Sequence, residues 1–499
     1  MEEDDKKKSR VVRGTAALTA KEIFGSILGV FYLVVSAREL GVEGMAVVSV
    51  LTMVYTLFQL FLLLAIPTAF QKFIAENLGR GDEDAVKRLM RTALMVTLVT
   101  GIIGAFASFT VAPLIASTFF EGRYVAAFQL VSLAVATSIA SNVLTTIFLA
   151  FQLYEKYSII TFAGATSGQL ISLMFILLNY GPPAFVAFWI VQNVLVVILL
   201  TAARPKVKAT SKAYPIRPLL SYSFPLFLST FVSYLGSGVF IRVLILNKLS
   251  SADLGNYETA IRSVGAPKTY HSTFLASFFP HLSKVYGEKG NEEVGHNIDW
   301  AVRLLSFIFS PIIVGLGLLA EPTFFILFGR EYGEAVPIVI ILLTFALANF
   351  LLSPFTQGMQ ALGYTKRMFH IQFVSTTIAI LGSLVLAELG VVGVAAGAES
   401  LGLASSLLNF YFFRKYVKPE IYWGKIGSFL LASLAMVPPV YLSTLVLPRY
   451  RYLPLQIAIG AGVYVAVIRT FKLVEKKDLD VIASIFPTRL QRIVLKLFS

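Results

Sequence analysis

The chain has 499 residues, of which 57% are hydrophobic and 14% charged, and it contains no cysteine. Its mean hydropathy of +0.77 excludes a soluble globular domain and fits a polytopic membrane protein. The missing cysteines exclude disulfides, thiolate chemistry and cysteine–zinc sites. The net charge of +14 reads as a positive-inside bias plus attraction to anionic headgroups, not as a nucleic-acid surface.

Residues 1–14 are charged and expected to stay cytoplasmic. They do not open a signal peptide, because Lys21 and Glu22 interrupt the apolar stretch that would follow. About fourteen apolar spans of membrane length follow. They lie near 15–37, 45–67, 92–115, 124–147, 157–179, 183–203, 220–247, 253–277, 301–320, 335–355, 368–388, 391–412, 427–447 and 453–471. With the N-terminus inside, about 33 of the 42 Lys and Arg residues fall on the cytoplasmic side. Only Arg38, Arg123, Lys248, Arg330, Arg449 and Arg451 fall outside. The expectation is a multi-pass protein of the cell membrane with both termini cytoplasmic.

The chain repeats itself. Gly44 and Gly255 open the second and eighth spans, and Gly81-Asp82-Glu83 answers to Gly290-Asn291-Glu292. Gly122-Arg123 answers to Gly329-Arg330, and Leu153 to Leu362. The offsets stay near 209 residues, which predicts two parallel six-helix lobes, 1–203 and 219–417, related by an axis along the membrane normal. Transporters built this way bind substrate between the halves. Two additional helices (423–471) and a cytoplasmic amphipathic tail (474–499) complete the expected layout. In that tail Leu490, Ile493, Val494 and Leu497 share one face, and Arg489, Arg492 and Lys496 the other. In the Gln71–Arg91 loop, Gly81-Asp82 predicts a helix break and cap before a second helix near Glu83.

The eighth span is the most unusual. It carries Glu258, Arg262, Lys268 and His271 inside an apolar stretch, where each ionisable group is costly unless it meets water, a partner or a ligand. Pro267 removes a backbone donor and clashes with the carbonyl of Ser263, so a bend is expected there.

Several stretches resemble a known group. Ile66-Pro67-Thr68-Ala69-Phe70-Gln71-Lys72 with Gly81-Asp82 resembles the end of the second span of Wzx-type oligosaccharide flippases. Arg242-Val243-Leu244-Ile245, Leu254-Gly255-Asn256-Tyr257 and Pro280-His281-Leu282-Ser283 resemble their seventh and eighth spans. Phe328-Gly329-Arg330-Glu331-Tyr332 with Ala361-Leu362-Gly363 resembles the tenth. The resemblance covers essentially the whole chain and points to the multidrug/oligosaccharidyl-lipid/polysaccharide (MOP) exporter superfamily. It implies two bundles around a V-shaped central cavity with alternating access, a polyprenyl-phosphate or -pyrophosphate substrate carrying a glycan, and a final pair of spans able to hold the lipid tail. One departure stands out: many relatives have an acid just before the arginine matching Arg242, and here it is Ile241, which argues against a fixed local counter-ion for Arg242.

Such a flippase needs cations for the phosphate, and Lys21, Arg242, Arg262 and Lys268 are the candidates. Lys21 and Arg242 have the alternative of snorkelling to the nearer interface, with Glu22 screening Lys21. Arg262 has the alternative of being neutralised by Glu258 at i−4. Lys268 has no acid in reach on its own helix and is expected to line the cavity. His271 is either a packing residue or a proton relay. Glu399, a lone acid among small residues in the twelfth span, is either a proton- or Na⁺-coupling site or a neutral, hydrogen-bonded acid. No other cofactor or metal is expected, because the four histidines lack ligand spacing and no Walker sequence occurs. Asp82-Glu83-Asp84 reads as a helix start, and Gly315-x-Gly317 lies inside a span, not after a strand.

The expectation is therefore a non-enzymatic, monomeric flippase whose partners are a polyprenyl-linked glycan and membrane lipids. A cation-coupled drug exporter of the same fold is the alternative; it would favour an acidic cavity. A membrane glycosyltransferase or polymerase would want a long polar catalytic loop, which this chain lacks.

Overall fold

The computed structural model describes residues 2–204, 212–446 and 452–474, with side chains from residue 24 onward except at 79, 276, 277, 280, 284 and 365. No strand occurs among the described residues. The chain forms two compact units, Met1–Thr259 and Ala260–Ser499.

The first unit opens with α1 (Glu2–Leu63), α2 (Ile66–Gly79), α3 (Glu83–Phe120), α4 (Val125–Ala150), α5 (Tyr154–Leu177) and α6 (Pro183–Ala202). It continues with α7 (Ile216–Tyr234), a π-helical turn (Leu235–Phe240), α8 (Ile241–Lys248) and most of α9 (Ser251–Ser263). The second unit holds α10 (Gly265–Leu318), α11 (Ala320–Leu327), α12 (Ala335–Ala361), α13 (Thr365–Leu386), α14 (Gly390–Val417), α15 (Trp423–Leu434), α16 (Val437–Val446) and α17 (Leu453–Thr470).

Eleven helices among the described residues are long and apolar enough to cross a membrane, as an all-α polytopic membrane protein requires. The difference from fourteen has local causes. The expected first and second spans lie in α1, where Gly41 breaks the helix at φ 65°. The eleventh and twelfth lie in the single stretch Lys366–Val417, which Gly390 interrupts at φ 72°. The eighth is divided between α9 and α10 at Val264.

Several turn glycines fall at the spacing expected of the repeat. Gly81 and Gly290 both have positive φ, at 73° and 80°; so do Gly181 and Gly390, at 68° and 72°. Each pair is 209 residues apart (81 to 290, 181 to 390). Gly122 and Gly329, 207 residues apart (122 to 329), also share positive φ, at 79° and 97°. Glycine reaches this left-handed region without a steric penalty, so equivalent connections turn in the same way.

The compact units part later than the repeat boundary at 203–219, because α7 to α9 pack with the first unit. Leu219 of α7 joins Phe70 and Ile74 of α2, Leu89 of α3 and Ile147 of α4 in one buried cluster. Tyr234 Oη donates to Met53 O at 3.0 Å. The Asp82 carboxylate accepts from Ala85 N at 2.9 Å, so the expected break and cap are in place at the start of α3.

In the second unit α15 to α17 pack on α10. Phe307, Phe429, Met436, Val440 and Tyr464 make the shared core, and Tyr464 Oη donates to Phe307 O at 2.8 Å. The expected amphipathic helix at 489–499 lies outside the described residues, as do the side chains of Lys21 and Glu22.

Candidate functional site

Arg242–Glu258 and Lys268–Glu399 are ion pairs between different helices, and they are built differently. The first belongs to the first unit. Arg242 Nη2 donates to Glu258 Oε2 at 2.8 Å, Arg242 Nε donates to Ser49 Oγ at 2.9 Å, and Ser49 Oγ donates to the same carboxylate oxygen at 2.9 Å. Arg242 Nη1 donates to Gly238 O at 2.8 Å. The two charged side chains are 11% and 2% exposed. This is a closed arrangement in which all three guanidinium nitrogens have acceptors, as a buried pair requires to offset its desolvation.

Local structure explains how it forms. Gly238 lies in the π turn immediately before α8. A π turn shifts backbone hydrogen bonds from i+4 to i+5, and the side chain of Arg242, four residues on, bonds to the Gly238 carbonyl. On α9, Gly255 lies so close to α1 that a Cβ there would fall 1.9 Å from Val42 O. This contact brings Glu258, nearly one turn later, against Ser49.

One expectation is corrected here. Arg242 does have a fixed counter-ion; it is Glu258, sixteen residues on, which the neighbouring Ile241 concealed. Glu258 in turn accepts from both Arg242 and Ser49 on the same carboxylate oxygen. Arg262 is half-buried near the end of α9. The helix then breaks at Val264, one turn before Pro267, as the lost proline donor predicts.

The second pair lies wholly in the second unit. Lys268 Nζ on α10 donates to Glu399 Oε1 on α14 at 2.9 Å, with the two side chains 37% and 20% exposed. Glu399 is thus not a lone acid, and the acid missing from the helix of Lys268 comes from α14. Gly397 seats α14 against α13, where a Cβ would fall 2.3 Å from Ser383 N. Seven residues further along α14, Ser406 Oγ donates to Asn349 Oδ1 of α12 at 2.6 Å (399 to 406).

His271 is buried and stacks on Phe350, with ring centroids 4.0 Å apart and planes 11° apart. Its Nε2 lies 2.8 Å from Ser353 Oγ, and that hydroxyl donates to Phe350 O at 3.0 Å. The Ser353 oxygen is therefore placed to accept from Nε2–H. This is the surrounding of a packing residue.

Sequence reasoning passed over Ser49, Asn349, Ser353 and Ser406. Only Ser49 left a trace, because it stands 209 residues before Glu258. The same offset places Gln59 opposite Lys268 and Ile190 opposite Glu399, so the first half carries no counterpart of the second pair. Among the described residues no group of three His, Cys, Asp or Glu side chains is placed to hold a metal ion.

Comparison with known proteins agrees with this architecture. The chain is 23% identical over 423 residues to the lipid II flippase MurJ of Bacillus subtilis (strain 168), covering 76% of this chain and 77% of that one. Its fold matches lipid II flippase MurJ in an inward closed conformation, with a TM-score of 0.71 and 17% identity over 91% of this chain and 98% of the other. It also matches an inward-facing multidrug resistance MATE family transporter of the MOP superfamily, with a TM-score of 0.66 and 15% identity over 79% and 94%. The family model described as polysaccharide biosynthesis protein matches residues 35–337. The chain, an integral membrane protein of the MOP exporter superfamily, belongs to the polysaccharide biosynthesis protein family.

Proposed function

We propose that the protein is a flippase that moves a polyprenyl-phosphate- or polyprenyl-pyrophosphate-linked oligosaccharide across the cell membrane by alternating access, without chemical conversion. The observation that carries this reading is the Lys268–Glu399 pair: a lysine on α10, over a third exposed, held by one carboxylate contact. Moving an uncompensated phosphate through hydrocarbon costs tens of kcal/mol by Born estimates. A wet site with cations removes most of that cost.

Lys268 and Arg262, together with Lys21, are the cations assigned to the phosphate. Arg242 is assigned a different task, because its nitrogens are taken by Glu258, Ser49 and Gly238. It ties α8, α9 and α1 together and bears on transport through them. Membrane lipid surrounds the lipid tail of the substrate, and H⁺ or Na⁺ is the coupling ion proposed at Glu399. Both termini lie in the cytoplasm. The likeness to lipid II flippase in sequence supports this reading; the drug-exporter alternative rests on likeness of fold alone.

The test is reconstitution in liposomes with a fluorescent, short-chain polyprenyl-pyrophosphate oligosaccharide, scored by a membrane-impermeant quencher. Wild type is expected to expose the probe on the far leaflet. Lys268→Ala and Arg262→Ala are expected to abolish this while folding and expression stay intact. Wild-type transport in both variants would overturn the assignment, and no transport by wild type beside drug export in cells would overturn the function.

A further inference from the structure

We propose that Glu399 is a built-in stand-in for the substrate phosphate: it occupies Lys268 while the site is empty and is displaced when the phosphate arrives. The inference rests on the flippase reading above and assigns Glu399 the role of a competitor in place of a scaffold.

The contrast between the two pairs carries it. In the Arg242–Glu258 pair, the carboxylate oxygen accepts from both Arg242 and Ser49, and the guanidinium has two further acceptors. Breaking that arrangement would strand several buried groups at once. The Lys268–Glu399 pair has one contact, at 2.9 Å. Among the described residues no other hydrogen bond or ion pair joins either head group. A lysine ammonium carries three donors and a carboxylate about four acceptor sites, so most of the bonding capacity of both groups faces away from the contact. Their exposures of 37% and 20% let an incoming anion approach the ammonium.

The internal repeat supports the same conclusion independently. The first half builds a comparable set of helices with Gln59 and Ile190 at the matching positions. Folding of such a half therefore needs no ion pair there. A feature present in one half and dispensable in the other answers to use, not to architecture.

Electrostatics supplies the reason for such a device. An empty site with an unpaired ammonium would carry an uncompensated charge into a low-dielectric region on every return. Glu399 cancels that charge. A phosphate group offers a comparable oxygen at comparable distance, with more charge, so it exchanges for the carboxylate with little net loss of contacts. The exchanged carboxylate is then the group free to take up a coupling cation.

The experiment uses the full-length protein in lipid nanodiscs and measures binding of farnesyl phosphate, with farnesol as the uncharged control. Wild type is expected to prefer the phosphate. Glu399→Gln is expected to tighten farnesyl phosphate binding about threefold to tenfold, because a competitor is removed, and to leave farnesol binding unchanged. Glu399→Asp, which keeps the charge but shortens its reach, is expected to tighten it as well. Lys268→Gln is expected to weaken the preference, and Glu399→Gln added to it is expected to tighten binding no further, because the ammonium for which the carboxylate competes is gone. If wild type does not prefer the phosphate, the flippase reading itself fails. If wild type prefers it and both Glu399 variants bind it equally or more weakly, Glu399 holds Lys268 in place and the stand-in role is overturned. Should Glu399→Gln not fold, the Glu399→Asp measurement decides alone.

Discussion

Ser49 donates its hydroxyl to the Glu258 carboxylate at 2.9 Å across 209 residues of chain, the interval that also separates the turn glycines Gly81 and Gly290. Ser49 and Glu258 are thus each other's counterparts in the repeat. The contact joins equivalent positions on α1 and α9, with a donor on one side and an acceptor on the other. Equivalent surfaces that meet must become chemically different if a charge is to be shared between them.

Removing one member of that group leaves the other buried and uncompensated. Arg242→Ala and Glu258→Ala are each expected to cost about 3–5 kcal/mol, seen as a large fall in the thermal midpoint of the purified protein. The double variant Arg242→Met/Glu258→Leu is expected to be more stable than either. If the double variant lost the sum of both single effects, the pair would not be coupled as the distances imply.

The approach of α9 to α1 depends on one glycine. A Cβ at Gly255 would meet the backbone of Val42, which cannot rotate away as a side chain can. Gly255→Ala is expected to destabilise by about 1–3 kcal/mol, as overpacking does. Gly427→Ala, where a Cβ has nothing within 4 Å, is the control and should be neutral or mildly stabilising. Equal midpoints for the two variants would contradict the close contact.

His271 is expected to behave as packing. His271→Ala removes a ring stacked on Phe350 and edge-on to Phe309 and should cost about 2–4 kcal/mol. His271→Gln, which can still bond to Ser353, should transport with the pH profile of the wild type. A flattened profile in that variant would instead make His271 a proton relay.

At the start of α3, Asp82→Ala should lower stability by about 1 kcal/mol through loss of the cap on Ala85 N. Asp82→Asn, which can accept the same bond, should lose little. Comparable losses in both would point to the charge beside the helix terminus in place of the cap.

The helical, membrane-spanning character was legible because hydrophobic runs of bilayer length and loop charges are local signals. Gly81, Gly122, Gly290 and Gly329 were legible as turn glycines, which their positive φ bears out, and the interruption before Pro267 followed from proline chemistry. The partners of the buried charges were not. The i and i+4 relation of Glu258 to Arg262 is visible in a linear string, whereas the contact of Glu258 with Arg242, sixteen residues back and on another helix, is not. Lys268 and Glu399 were both singled out, yet their meeting across 131 residues depends on how α14 seats against α13, which no short window records.

The π turn at Leu235–Phe240 has a consequence for reading and for engineering the seventh span. A widened turn adds one residue to a helix, so the faces before and after it are out of phase by about 100°. A hydrophobic stripe followed from Phe227 would therefore point to the wrong neighbours by the time it reached Arg242. Deleting Gly236 would bring the span back into step, swing the guanidinium about a quarter turn off Ser49, and return the Gly238 oxygen to the backbone ladder.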